Sequence, residues 1–163
     1  MKSTDKFLIG IVAGIVLLIV IALVATLTRP EPVYQAKDTP EGVAHNYLLA
    51  LQKRDYERAY GYLSPVLMSY PASADEFAEH VLDNSRNFRL DTDTALEIES
   101  TTVISSLAMV SVRESYFRAG DLFDSGQHIR VFEMKLQFVD SAWKIADSDY
   151  YFARCWRQKR GCN

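Results

Sequence analysis

The chain has few of the residues from which metal centres and nucleophilic sites are assembled, with three histidines and two cysteines in 163 residues. His45, His80 and His128 stand apart, with no second ligand or triad partner at a telling spacing, and Asp91-x-Asp93 lacks the glycine and closing glutamate of a calcium loop. A glycine-rich phosphate loop and a nucleophile elbow are also missing. The sequence therefore leads us to expect no metal and no cofactor. Positive charge is not in excess: 18 Lys and Arg against 21 Asp and Glu leave a net charge of −3, which argues against a nucleic-acid partner.

Both cysteines, Cys155 and Cys162, fall within the last nine residues. Without a neighbouring histidine they make a poor zinc signature. In an oxidising compartment they would close the loop CWRQKRGC as a disulfide, to which the chain-entropy model assigns about 2–3 kcal/mol. In a reducing compartment they would be two free thiols.

Charge is absent altogether from Phe7 to Leu27, an apolar run of 21 residues. At about 1.5 Å rise per residue such a run crosses a ~30 Å hydrocarbon layer, so residues 7–28 are expected to form a single transmembrane helix. The competing reading is a cleaved secretory signal, but this run exceeds the usual apolar region of about 7–15 residues and ends without an A-x-A-like site. No cysteine follows closely enough for lipid attachment. Lys2 and Lys6 precede the run and only Arg29 follows at once, so residues 1–6 are expected in the cytoplasm and the remaining mass outside it. Gly10 and Gly14 have the spacing that lets two membrane helices pack closely.

Residues 29–38 read as a short linker stiffened by Pro30 and Pro32. From Arg29 onward the chain carries 16 basic and 20 acidic residues, and Arg154, Arg157, Lys159 and Arg160 crowd into a basic tail at 154–163 that could meet an anionic partner. Thr39-Pro40-Glu41 announces a helix over about 40–53 with Val43, Tyr47, Leu48 and Leu51 on one apolar stripe. Asp55 can cap a second helix through Leu63, with Tyr56, Ala59 and Tyr60 on its apolar side. Ser73 and Glu76 have capping-box spacing for a third, with Phe77, Val81 and Leu82 facing the core.

From about residue 95 the period changes to two, the mark of strands with one buried face. Leu96 and Ile98 alternate with Glu97 and Glu99. A β-rich stretch runs from Leu107 to Phe117, residues 119–126 supply a hairpin connection, and Phe132, Met134, Leu136 and Phe138 alternate with Glu133, Lys135 and Gln137. Asp140-Ser141 turns the chain into a last strand through Trp143 and Ile145. Helices followed by an antiparallel meander predict an α+β domain over 39–153, with N-terminal helices covering one face of a curved sheet.

The helix pair VAHNYLLALQKRDYERAYGYLSP, with its turn at Arg54-Asp55-Tyr56, and the late strand pair ending in Ala142-Trp143-Lys144-Ile145 resemble the nuclear-transport-factor-2-like superfamily. That resemblance implies a cystatin-like, cone-shaped sheet wrapped around a long helix, often with a cavity at the wide end and often dimeric. It also implies that any catalysis would come from ionisable residues inside the cone. Strand parity puts Asp147 and Asp149 on the inner face with Ile145, and Glu114 there with Val110 and Val112. The alternative for Asp147 and Asp149 is a solvated position past a bulge. A carboxylate in an apolar cone could serve as a general base. No segment matches a catalytic motif of the superfamily, so the expected function is non-enzymatic: an accessory or interaction subunit of a membrane complex, with the bilayer and a membrane protein or a second copy as partners. The alternatives are an anchored module for a small ligand, or an isomerase- or hydrolase-type enzyme using an inward carboxylate.

Overall fold

The computed structural model describes residues 3–27, 32–89, 94–117 and 126–162. Two compact units divide the chain, residues 1–33 and 34–163. The Arg29 to Glu31 part of the linker, the Asp91-x-Asp93 stretch and the predicted hairpin connection through residue 125 lie outside the described residues.

Among its described residues the first unit contains one helix, α1 (Ser3–Leu27). Its described side chains, residues 8–24, are all exposed, and a Cβ added at Gly10 or Gly14 would meet nothing within 4 Å. Among the described residues no helix is long and apolar enough to cross a membrane.

In the second unit α2 (Pro40–Gln52) begins as its sequence requires, with Thr39 Oγ1 accepting from the Gly42 amide at 3.2 Å. The expected stripe is a subset of what is buried: Ala44, Asn46, Leu49 and Ala50 are shielded as fully as Val43, Tyr47, Leu48 and Leu51. The helix is a central element, because residues 34–38 cover the side that one stripe alone would have left in solvent. Asn46 fastens that segment, accepting from the Gln35 amide at 2.7 Å and donating to the Gln35 carbonyl at 2.8 Å. A Cβ at Gly42 would stand 1.9 Å from the Ala36 carbonyl oxygen. Gly42→Ala is therefore expected to destabilise by about 2 kcal/mol despite alanine's better helix propensity, read as a lower thermal midpoint.

Helix α3 (Tyr56–Tyr60) starts at the expected cap, Asp55, but stops short of Leu63. Residues 62–64 instead join the sheet, with Ile145 N donating to Tyr62 O and Ser64 N donating to Ile145 O. In α4 (Ala74–Asp83) Ser73 caps the Glu76 amide and Glu76 reaches back to the Ala72 amide. Phe77 and Val81 are buried as expected, whereas Leu82 points to solvent. A short α5 (Ser85–Phe88) follows.

Among the described residues four antiparallel strands form one sheet in chain order: β1 (Thr94–Ile104), β2 (Leu107–Phe117), β3 (Gln127–Val139) and β4 (Ala142–Ser148). The α+β expectation is met. Asp140 and Ser141 both have positive φ, the conformation of a two-residue turn that matches strand twist. Ala108, Val110, Val112, Phe132, Met134, Leu136 and Ile145 fill the inner face against α2, while Phe138 is 47% exposed where β3 runs beyond the core. Register breaks between Ile98 and Ser100 in β1 and between Ile145 and Asp147 in β4. The second break swaps the faces of everything after it.

The chain past β4 returns to the core. Tyr151, Phe152, Ala153 and Trp156 are buried, and Trp156 packs its ring against Phe77, Phe88 and Phe152 at centroid distances of 5.3, 5.9 and 4.8 Å. Cys155 and Cys162 are joined as a disulfide.

Candidate functional site

Glu114 is the carboxylate around which the interior polar groups gather. It lies on the inner face of β2 with Val110 and Val112, as its parity predicts, and its side chain is wholly buried. Oε1 accepts from the Tyr151 hydroxyl at 2.7 Å and pairs with Arg89 Nη1 at 3.2 Å, while Oε2 has no hydrogen-bond partner. Tyr151 is fixed in turn from three sides. Tyr47 Oη donates to its carbonyl at 2.6 Å, its own amide donates to Asn87 O, and Thr94 Oγ1 lies 3.4 Å from its hydroxyl.

Both residues that reach Glu114 have left-handed backbones, Arg89 at φ +49 and Tyr151 at φ +57. For residues other than glycine such conformations cost on the order of 1 kcal/mol or more, and they persist where the surroundings over-determine them. Aromatic faces complete the cluster. The Arg89 guanidinium lies 4.9 Å from the Tyr116 centroid, and Tyr150 is flanked by Arg89 at 5.6 Å and Arg130 at 4.6 Å. The result is a buried carboxylate neutralised through one oxygen, with the other oxygen still able to accept a donor.

Burial pushes the Tyr151 hydroxyl well up, reinforced by its bond to Glu114 and opposed by Thr94 and Arg89; burial alone raises Tyr47. Both phenols titrate near 10.0 when exposed. The unfolded chain therefore loses these protons before the folded one, and stability is full below pH 10 and falls as pH rises beyond it. Tyrosine ionisation followed at 295 nm should coincide with loss of tertiary circular dichroism in that range.

The β4 bulge corrects the expected direction of the other two carboxylates. Asp147 stands opposite Lys135 and pairs with its Nζ at 3.3 Å and with Arg157 Nη1 at 2.7 Å; Asp149 is exposed and accepts from the Glu133 amide. Ser148 takes the inward position instead. Within the expected basic tail, Arg157 is held by Asp147 and lies over the Phe152 ring, whereas Arg154, Lys159 and Arg160 have no ion-pair partner among the described residues. His80 accepts from Trp156 Nε1 at 3.0 Å and His128 stacks on Tyr116. Among the described residues no group of His, Cys, Asp and Glu could hold a metal ion. Sequence reasoning missed Arg89 and Tyr151: the aromatic run Tyr150-Tyr151-Phe152 after the last strand was the available signal for Tyr151, and nothing local marks Arg89.

No family model matches the chain, and no curated protein matches it. Solved structures do. A SEC-C motif containing protein from Rhodopseudomonas palustris is 12% identical over 71% of this chain and 81% of its own, with a TM-score of 0.50. An NTF2-like protein with a cystatin-like fold from Novosphingobium aromaticivorans is 14% identical over 72% of this chain and 86% of its own, at a TM-score of 0.44. An NTF2-like transpeptidase from Campylobacter jejuni is 17% identical over 67% of this chain and 98% of its own, also at 0.44. Identities this low speak to fold alone.

Proposed function

We propose that the chain is a single-pass membrane protein with a cytoplasmic N-terminus, whose second unit is an extracytoplasmic nuclear-transport-factor-2-like domain acting as a non-enzymatic accessory or interaction subunit of a membrane complex. The observation that carries this reading is how the domain's interior is used. The inward carboxylate of Glu114 is engaged by Arg89 and Tyr151, and the segment from Tyr151 to Trp156 occupies the core beside it. The outward face of the sheet, by contrast, leaves Met109, Ile129 and Val131 exposed at 41, 58 and 50%. Exposed apolar side chains set among charged ones suit contact with another protein.

Support for the anchor comes from the sequence, the 21 residues from Phe7 to Leu27 that carry no charge. A formed disulfide suits a domain outside the cytoplasm. Gly10 and Gly14, open on the helix surface, suit lateral packing against a partner's membrane helix. The reading is tested by isolating Met109→Glu and Val131→Glu chains from gently solubilised membranes. Proteins that accompany the natural chain should be lost while the domain's melting transition is kept; undiminished recovery of them contradicts the role given to this face.

A second reading is favoured by Glu114 Oε2 alone, a buried acceptor that a small ligand's donor could meet. Under it the domain is an anchored ligand-binding module, and Glu114→Gln should abolish any ligand-induced thermal shift.

A further inference from the structure

The end of the sheet that carries its two tight turns differs from the rest of the surface. The β1–β2 turn at Ser105-Ser106 and the β3–β4 turn at Asp140-Ser141 lie side by side, since the Phe138 amide donates to Ser106 O at 2.7 Å. Around them Val103, Ile104, Leu107 and Phe138 are exposed by 51, 70, 60 and 47%. Phe138 packs edge-on against Trp143 at 5.3 Å, and Trp143 in turn lines a groove of about 630 Å³.

That groove is cationic although the domain is acidic. Lys37, Arg58 and Lys144 line it against a single acid, Asp38, with Tyr62 completing the wall beside Trp143. Two of the cations are held in place. Arg58 is fixed through Nε to Asp55 at 3.2 Å and by stacking 4.0 Å from the Tyr34 centroid; Lys144 Nζ donates to Gly61 O at 2.6 Å. Lys37 has no ion-pair partner among the described residues. Fixed cations beside tryptophan and tyrosine, bordering exposed aliphatic side chains, are the combination that favours a bilayer interface.

Tether length supplies the second argument. Lys37 and Asp38 follow Leu27 by ten and eleven residues, so the chain between α1 and this groove reaches at most ~35 Å. A tether that short gives an effective concentration in the millimolar range, enough for a weak site to be occupied.

We propose that this turn end docks the domain on the surface of an anionic bilayer, the apolar tip entering the interface and the groove taking the phosphate of a lipid headgroup. The proposal rests on the reading of α1 as a membrane span. Each groove cation removed should weaken the docked state roughly fivefold, and raised salt should release it.

The full chain, reconstituted into nanodiscs carrying lipids brominated near the headgroup, tests this through tryptophan emission. Trp143 is partly exposed and Trp156 buried, so quenching reports Trp143, with Trp143→Phe as the subtraction. Discs containing one-third phosphatidylglycerol should quench several-fold more than pure phosphatidylcholine discs, and Lys37→Glu, alone or with Lys144→Gln, should remove the excess. Equal quenching in both disc types, or an excess indifferent to Lys37→Glu, overturns the docking. A chain retained in discs with Trp143 unquenched overturns the docking and keeps the span; a chain not retained in discs overturns both.

Discussion

Replacing Glu114 by alanine is expected to lower the unfolding free energy of the domain by roughly 3–5 kcal/mol, the range for removing one partner of a buried ion pair. The side chain is wholly buried, and the Arg89 side chain it faces is 16% exposed. Without the carboxylate that guanidinium keeps its charge and loses its counter-ion, and the Tyr151 hydroxyl loses its 2.7 Å acceptor. The left-handed backbones of Arg89 and Tyr151 also lose the contact that holds them. Glu114→Gln keeps an acceptor for Tyr151 and should cost less, about 1–3 kcal/mol. Because Arg89 and Glu114 act as a pair, the double change to alanine should cost less than the sum of the singles. Chemical denaturation followed by circular dichroism reads all four variants, and a Glu114→Ala midpoint equal to the natural one would remove the cluster from any structural account.

Trp156→Ala should be comparably severe, about 3–5 kcal/mol, the usual range for deleting a large buried aromatic. Its ring is fully buried against Phe77, Phe88 and Phe152, and its Nε1 donates to His80 Nδ1. Trp156→Phe keeps part of the packing but strands that histidine nitrogen, so an intermediate loss is expected. A chain ending at Ala153 should fail to give a cooperative melt, since it lacks both Trp156 and the disulfide that frames it. These losses would show that residues beyond 153 belong to the folded domain rather than to a solvated tail.

Much of the domain was legible because it is written locally. Thr39, Asp55 and Ser73 each cap the helix their sequence announces, and the alternation of Phe132, Met134 and Leu136 sets the face of β3 without outside help. What escaped was decided at a distance. Leu63 left its helical pattern because residues 62–64 pair with Ile145 in β4. The parity of Asp147 and Asp149 failed at one extra residue in β4, and strand alternation carries no mark of where a bulge will fall. Of the candidate site, Glu114 was found from its own strand. Arg89 and Tyr151 join it across 25 and 37 positions of sequence, a separation that no periodicity encodes.

The central claim is that the chain works as one part of a membrane complex. The most direct measurement is the mass and composition of the particle obtained when the full chain is purified in mild detergent from the membranes that hold it. The account predicts a particle well above the 18.5 kDa of the chain, containing a second polypeptide in fixed ratio. A particle holding only this chain, as a monomer or as its own multiple, would contradict it.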